Sequence, residues 1–289
     1  MSRIEKALEK ASRMRNGSDA TARPRQSVDQ RHRRPALQSP EPLQDVDPHL
    51  IAHSDSAAIV SEEYKKLKAM ILKMTKQESF KNMLLVTSAV GGEGKSLTAA
   101  NLALSLAQDY DHSVLLIDAD LRRPTLHRLF NVTSDIGLSD CVSDERDIAS
   151  ALIKIGNGNL MFLPPGKRTE NPVELFSSQR MEKALAAMKY RYPDRYIIID
   201  APPVLLFAEA KLISTLVDGI IFVVKEGRAS LQHITEALDS LKAENVMGIV
   251  YNAVGTDGLN NRYSYHAYYT DYQKKAGEEG APCTNSSSD

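Results

Sequence analysis

The run Ala89-Val-Gly-Gly-Glu-Gly-Lys-Ser96 combines residue types that together handle phosphate. Gly91, Gly92 and Gly94 let the backbone bend so that its N–H groups turn inward around an anion. Lys95 can reach the β- and γ-phosphates of a nucleoside triphosphate, and the Ser96 hydroxyl can ligate Mg²⁺. The usual pattern opens on Gly, where this chain has Ala89. A buried-type strand, Met83–Ser88, precedes the loop, and a helical run starting at Leu97 follows it. That context separates a phosphate-binding loop from an ordinary glycine turn. The set read as nucleotide-binding is Gly91, Gly92, Glu93, Gly94, Lys95, Ser96 and Leu97, with ATP and Mg²⁺ as the implied cofactors.

Phosphoryl transfer also needs carboxylates near the metal and the attacking group. Two apolar runs supply them: Val114-Leu-Leu-Ile-Asp118-Ala-Asp120 and Tyr196-Ile-Ile-Ile-Asp200-Ala-Pro-Pro203. Each ends in Asp at its carboxyl end, which is where open α/β sheets bind ligands. Asp200 fits the role of holding Mg²⁺ through water. Asp118 and Asp120 alternate on their strand end, so one can serve as base for an attacking hydroxyl while the other assists the metal. A single Asp there would read as a helix N-cap. Three of them, on two strands beside a phosphate loop, point to metal-assisted chemistry. The catalytic candidates are Lys95, Asp118, Asp120 and Asp200; the metal candidates are Ser96, Asp118, Asp120 and Asp200.

Positioning these groups requires a sheet. Strand-length apolar segments occur at Met83–Thr87, Val114–Ile117, Leu160–Leu163, Tyr196–Ile199, Gly219–Val224 and Val246–Tyr251. Helical patterns separate them at Ser96–Asp109, Arg180–Tyr190, Glu209–Leu216 and Leu231–Glu244. Another helix is expected over 58–74, with Ile59, Tyr64, Leu67, Met70, Ile71 and Met74 roughly in phase. Continuous apolar strands alternating with helices predict an α/β fold whose mostly parallel sheet is covered by helices on both faces. At 289 residues and 42% hydrophobic content, one such domain plus tails is expected. The expected division is 1–56 for a basic N-terminal helix and disordered linker, 57–255 for the nucleotide-binding domain, and 256–289 for a flexible tyrosine-rich tail. Within 1–15, Ile4, Ala7, Leu8, Ala11 and Met14 share one helical face, which reads equally as a docking helix or as a solvated tail.

Charge narrows the partners. The net charge is −1, so nothing global argues for nucleic acid, although residues 1–36 carry ten Lys and Arg against four Asp and Glu. The basic stretch Arg31–Arg34 has few aromatics beside it, and no nucleic-acid role is expected. Cys141 and Cys283 match no metal spacing, and a reducing cytosol is the simplest home. No apolar run reaches the roughly 18–20 residues that span a bilayer, so any membrane role is expected to go through a partner.

Three motifs together resemble a family. The run Asp118-Ala-Asp-Leu-Arg-Arg-Pro124, the loop Ala89–Ser96 and Asp200-Ala-Pro-Pro203 are similar to the three Walker-type motifs of the bacterial tyrosine kinases of capsule and exopolysaccharide biosynthesis. Leu163-Pro-Pro-Gly-Lys-Arg-Thr-Glu-Asn-Pro-Val-Glu-Leu175 also looks like a family segment, and the opening Met1-Ser-Arg-Ile-Glu-Lys-Ala-Leu-Glu-Lys10 resembles the exosortase-associated subgroup. The resemblance covers about residues 57–255. It implies a P-loop NTPase fold of the partition-ATPase (MinD/ParA-like) type and ATP-dependent autophosphorylation of a C-terminal tyrosine cluster. It further implies Lys95 on phosphate, Ser96 on Mg²⁺, Asp118 as base, and Asp120 and Asp200 supporting the metal. The family partner is a membrane polysaccharide co-polymerase of the chain-length-determinant type, acting as activator. That pairing implies a cytoplasmic kinase peripherally associated with the inner membrane.

Two departures matter. Where the family carries Glu-x-x-Arg-x-x-Arg for ring assembly, this chain has Glu62, Lys65 and Lys68, which keep the charge but lose the bidentate fork of Arg. Partition ATPases place a signature Lys just before the Gly-Gly pair, where this chain has Val90. The second departure favours a kinase over a nucleotide-switched positioning ATPase, the alternative reading.

Tyr263, Tyr265, Tyr268, Tyr269 and Tyr272 are 5 of the chain's 11 tyrosines, within ten residues and with few apolar neighbours. A core strand would not look like this. A multi-site phospho-acceptor would, since each phosphate adds about −1.5 to −2 charges and repels its neighbours. Homo-oligomer contacts are expected through the Glu62/Lys65/Lys68 helix and through this tail.

Overall fold

Backbone contacts separate the chain into two units, Met1–Leu37 and Gln38–Asp289. The computed structural model describes residues 46–254 of the second unit, apart from 51–57, 77–79, 110, 157–158, 192–193 and 242–244, with 58 and 59 described by backbone alone. The readings of 1–15 and of the tyrosine cluster lie outside the described residues.

The elements run in the order α1 (Ala58–Thr75), β1 (Met83–Ser88), α2 (Lys95–Ala107), β2 (Ser113–Asp118), α3 (Leu126–Leu129) and α4 (Leu138–Ser143). A 3₁₀ turn (Ile148–Ala151), β3 (Ile153–Ile155), β4 (Leu160–Leu163), α5 (Pro172–Ser177), α6 (Gln179–Arg191) and β5 (Arg195–Asp200) follow. The last are α7 (Glu209–Ser214), β6 (Gly219–Lys225), α8 (Leu231–Ser240) and β7 (Val246–Asn252). They build one seven-stranded sheet in the order β3-β4-β2-β5-β1-β6-β7. Every pairing is parallel except β3 with β4. All six expected strands are present. β3 was missed because three residues are too short to show a pattern.

Strand residues are apolar without alternation because both faces are covered. Met83 and Leu85 join the core formed with α4, α6, α7 and α8. Leu84 and Val86 join the core formed with α1, α2 and α3. All four side chains are fully buried. Each contributes about 1.5–3 kcal/mol relative to exposure, so β1 is a rigid anchor for the loop that follows it.

Two expectations need correction. Met70 is 60% exposed, whereas Ile71 is buried; Leu67, Ile71 and Leu72 face the core, and at about 100° per residue Met70 falls outside that arc. Helix α8 ends at Ser240 rather than Glu244, and α7 at Ser214 rather than Leu216. Of the expected linker, only residues 46–50 are among those described, and they are packed on the fold. Val46 and Leu50 are buried in the α2 face core. The Asp47 N–H donates to Leu129 O at 3.0 Å, and Asn101 Nδ2 donates to His49 O at 3.1 Å. Two apolar residues spaced four apart were enough to dock a segment whose overall composition is polar. Among the described residues, no helix is long and apolar enough to cross a membrane.

Candidate active site

The loop between β1 and α2 is shaped by its glycines. Gly92 and Gly94 have φ of 83° and 88°, a region in which a Cβ is strained. Gly94 is the N-cap residue of α2, and the Thr98 N–H donates to its carbonyl at 2.9 Å. The positive end of a 13-residue helix therefore opens into the loop. A Cβ at Gly94 would sit 2.1 Å from Asn252 Nδ2. Gly94→Ala should therefore weaken ATP binding by about 100-fold or more and cost about 1–2 kcal/mol of stability, checked by nucleotide titration and thermal melting.

Glu93 behaves differently from its neighbours in the nucleotide set. Its side chain is fully buried and turned into the loop's own frame. Oε2 accepts from the Val90 N–H at 2.8 Å, and Oε1 accepts from the Lys225 N–H at 3.3 Å. Its carbonyl accepts from Asn252 Nδ2 at 2.9 Å. The carboxylate thus ties the loop to the end of β6 and the carbonyl ties it to the end of β7, so the Glu93 side chain is turned away from a phosphate. Arg228 adds a further tie, donating from Nε to Gly91 O at 3.0 Å. Sequence reading missed Asn252 and Arg228. Both lie more than 130 residues from the loop, and no local pattern marks them. Leu97 packs partly buried against the α2 face core.

The acidic strand ends come together because β2 and β5 are neighbours in the sheet. Asp118 and Asp200 are register partners. Both are fully buried, and Asp120 is 4% exposed. Lys95 projects back from the first turn of α2 to Asp120 Oδ2 at 2.8 Å and Asp200 Oδ1 at 3.5 Å, and it donates to Ser96 Oγ at 3.2 Å. Asp118 accepts from the N–H groups of Asp120 and Leu126 at 3.2 and 3.3 Å. Asp120 Oδ1 accepts from the Arg123 N–H at 3.0 Å, which shapes the loop after β2. The structure therefore gathers Lys95, Ser96, Asp118, Asp120 and Asp200 at the carboxyl edge of the sheet.

One ammonium faces three carboxylates, and the electrostatics follow. Burial, then the charge of Asp200, pushes the Asp118 carboxyl well above the ordinary range. Burial also raises Asp200, against the opposing pull of Lys95 and the Ser96 hydroxyl. Burial alone would lower Lys95, but Asp200, Asp120 and Asp118 outweigh it and the ammonium is held more tightly than usual. Neither oxygen of Asp200 makes a hydrogen bond of ordinary geometry. Buried carboxylate oxygens rarely stay unpaired, and a hydrated cation beside them would satisfy both. Among the described residues no three His, Cys, Asp or Glu form an ion cage of their own. Mg²⁺ needs none, because it keeps waters and takes phosphate oxygens, so these residues fit it.

A family model described as ParA, NUBPL iron-transfer P-loop NTPase, matches residues 79–282. Tyrosine-protein kinase YwqD of Bacillus subtilis is 30% identical over 229 residues, covering 78% of this chain and 94% of that protein. Tyrosine-protein kinase CpsD of Streptococcus agalactiae is 33% identical over 196 residues, covering 67% and 82%. The chain belongs to the bacterial tyrosine kinases, within the ParA-type P-loop NTPases. The crystal structure of the chimerical protein CapA2B2 superposes with a TM-score of 0.65 at 27% identity, covering 72% of this kinase and 91% of that chain. Iron carriage would need soft sulfur ligands. The kinase has two cysteines, 141 and 283, and Cys141 is buried. It is a protein-tyrosine kinase built on the P-loop fold.

Proposed function

We propose that this kinase transfers the γ-phosphoryl group of ATP to its own C-terminal tyrosines, in trans between two copies. The acceptors are Tyr263, Tyr265, Tyr268, Tyr269 and Tyr272. The reading is carried by the meeting of Lys95 with Asp120 and Asp200 at the N-terminus of α2, beside the register pair Asp118 and Asp200. In this reading the α2 N-terminus and Lys95 bind the phosphates. Ser96 and Asp200 hold Mg²⁺, with Asp118 and Asp120 in support. When bound, that ion neutralises charge on the β- and γ-phosphate oxygens. Asp118 takes the proton of the attacking tyrosine hydroxyl. A carboxylate whose pKa is raised by burial is the stronger base once ionised, which suits that role. The phenolic oxygen then forms the new P–O bond as the bond to the ADP oxygen breaks.

The domain limits 1–56, 57–255 and 256–289 belong to the same proposal. So does a homo-oligomer contacting through Glu62, Lys65 and Lys68. In the structure Lys65 Nζ pairs with Glu62 Oε2 on its own helix at 3.2 Å, leaving both on the surface of α1. The activator is the cytoplasmic end of a membrane polysaccharide co-polymerase, which places the kinase peripherally at the inner membrane. The cycle regulates exopolysaccharide chain assembly or export.

The pure protein, incubated with labelled ATP with and without such a co-polymerase fragment, should acquire label that mass spectrometry maps to 263–272. A chain with those five tyrosines changed to Phe should lose the label yet still bind nucleotide. Steady phosphate release without any phosphotyrosine would instead be the behaviour of a positioning ATPase, and would overturn the reading.

A further inference from the structure

Three residues beside the acidic edge have no part in the chemistry above. Arg122 lies two positions beyond Asp120, on the loop whose backbone Asp120 shapes. Its Nε pairs with Glu209 Oε1 at 2.7 Å, at the start of α7, and its guanidinium carbon sits 4.7 Å over the Phe207 ring. The preceding residue, Leu206, is 59% exposed. The stretch that carries Phe207 and Leu206 is fixed to the phosphate loop. The Val204 N–H donates to Ser88 O at 2.9 Å and the Leu205 N–H to Ala89 O at 3.3 Å. Thr87 Oγ1 donates to Pro202 O at 2.8 Å.

The ion pair has an unusual form. Glu209 is 1% exposed, and its second oxygen, Oε2, has no partner. A guanidinium can serve both carboxylate oxygens through a two-toothed fork. Here it uses Nε alone, so among the described residues its two Nη groups make no hydrogen bond, and the side chain stays 37% exposed. The surface offered beside Asp118 and Asp120 is therefore an apolar and cationic shelf with a planar donor fork pointing outward. That chemistry suits an aromatic peptide: rings stack on guanidinium and apolar faces, and the fork binds main-chain carbonyls or a carboxylate.

We infer that Arg122, Phe207 and Leu206 form the shelf that seats the acceptor tyrosine, with Arg122 as its specificity-determining residue and Glu209 as the group that positions it. The occupant is the 263–272 segment of a second copy. This rests on the proposed self-phosphorylation. The segment fits on two counts: it offers five aromatic rings to stack, and Asp271 for the fork.

The test separates docking from chemistry. A fluorescent peptide spanning 260–275 is titrated into the full chain, with Mg²⁺ and a non-hydrolysable ATP analogue present. Arg122→Ala and Phe207→Ala should each raise its Kd by about tenfold, and Arg122→Lys, which keeps the charge but not the fork, should fall between. Glu209→Gln, which preserves shape, should weaken the peptide less than Arg122→Ala does. Arg180→Ala removes a like charge from the surface of α6 and should change nothing. Analogue affinity should be the same in all variants. Unchanged peptide binding in Arg122→Ala overturns the inference, as does a parallel loss of nucleotide affinity, which would make Arg122 a phosphate contact. Because the peptide arm needs no turnover, it reads out even if the wild type proves unable to phosphorylate its tail.

Discussion

Replacing Lys95 with Met should lower tyrosine phosphorylation by about three orders of magnitude or more, while leaving a folded chain whose stability becomes more pH-sensitive. The activity loss follows from the proposed role of Lys95 as the cation that the α2 N-terminus presents to the phosphates. The stability effect follows from the imbalance it holds in check. Lys95 is the ammonium among Asp118, Asp120 and Asp200. Without it, the buried carboxylates must either stay charged and unpaired or take up protons. Their folded-state pKa values then rise further above the unfolded values. A carboxyl raised in the folded state stabilises at low pH, and that stability is lost as pH rises from the unfolded value through the folded one. Melting temperature in Lys95→Met should therefore fall more steeply than in the wild type as pH rises above the carboxyls' unfolded value of about 4. A parallel pair of melting curves would show that Lys95 does not balance this cluster.

The second large effect is at Asp118. Asp118→Asn should lower the transfer rate by about 10²–10⁴-fold, the range for a lost general base. It should also make the nucleotide-free chain less sensitive to rising pH, because it removes a buried carboxyl that must ionise. Burial first, and the Asp200 charge next, raises this carboxyl in the folded state. As pH rises through the window between its unfolded and folded values, the folded chain keeps a proton that the unfolded chain has released, and stability drops. An amide carries no charge to desolvate; its oxygen can keep one of the two N–H bonds from Asp120 and Leu126, which go to different oxygens of Asp118, while its NH₂ faces the other donor and offsets part of the gain. The difference in melting temperature between variant and wild type should move in the variant's favour as pH rises above about 4, the unfolded carboxyl's value. A difference that instead moves in the wild type's favour as pH rises would mean that Asp118 is held as a favourable anion, which would contradict its burial-raised pKa.

Much of this was legible in the sequence because it is local. The loop Ala89–Ser96 announces itself by glycine spacing and by the Lys-Ser pair. Unbroken apolar runs predict strands buried on both faces, and β1 and β5 are such strands. The carboxylates were legible individually, as acidic ends of those runs. Their pairing was not, because which strand neighbours which is a property of the whole sheet; the register of Asp118 against Asp200 emerges only from the order β2-β5-β1. Long-range ties escaped for the same reason. Glu93 sits inside the recognised motif, yet its side chain serves Val90 and Lys225 rather than a ligand. Asn252, Arg228 and the Arg122–Glu209 pair join segments that no sequence window contains together. Short elements such as β3 and α3 carry too few residues for periodicity to mark them.

The central claim is transfer from one copy's P-loop to another copy's tyrosines, and a mixing experiment tests it most directly. The Lys95→Met chain, unable to transfer but carrying all five tail tyrosines, is combined with a chain whose Lys95 is intact and whose Tyr263, Tyr265, Tyr268, Tyr269 and Tyr272 are Phe. With labelled ATP and Mg²⁺, phosphotyrosine should appear on the Lys95→Met chain alone, within 263–272, at a rate that rises with the concentration of the other chain. No label on the Lys95→Met chain, while the unmixed wild type labels its own tail, would contradict transfer between copies.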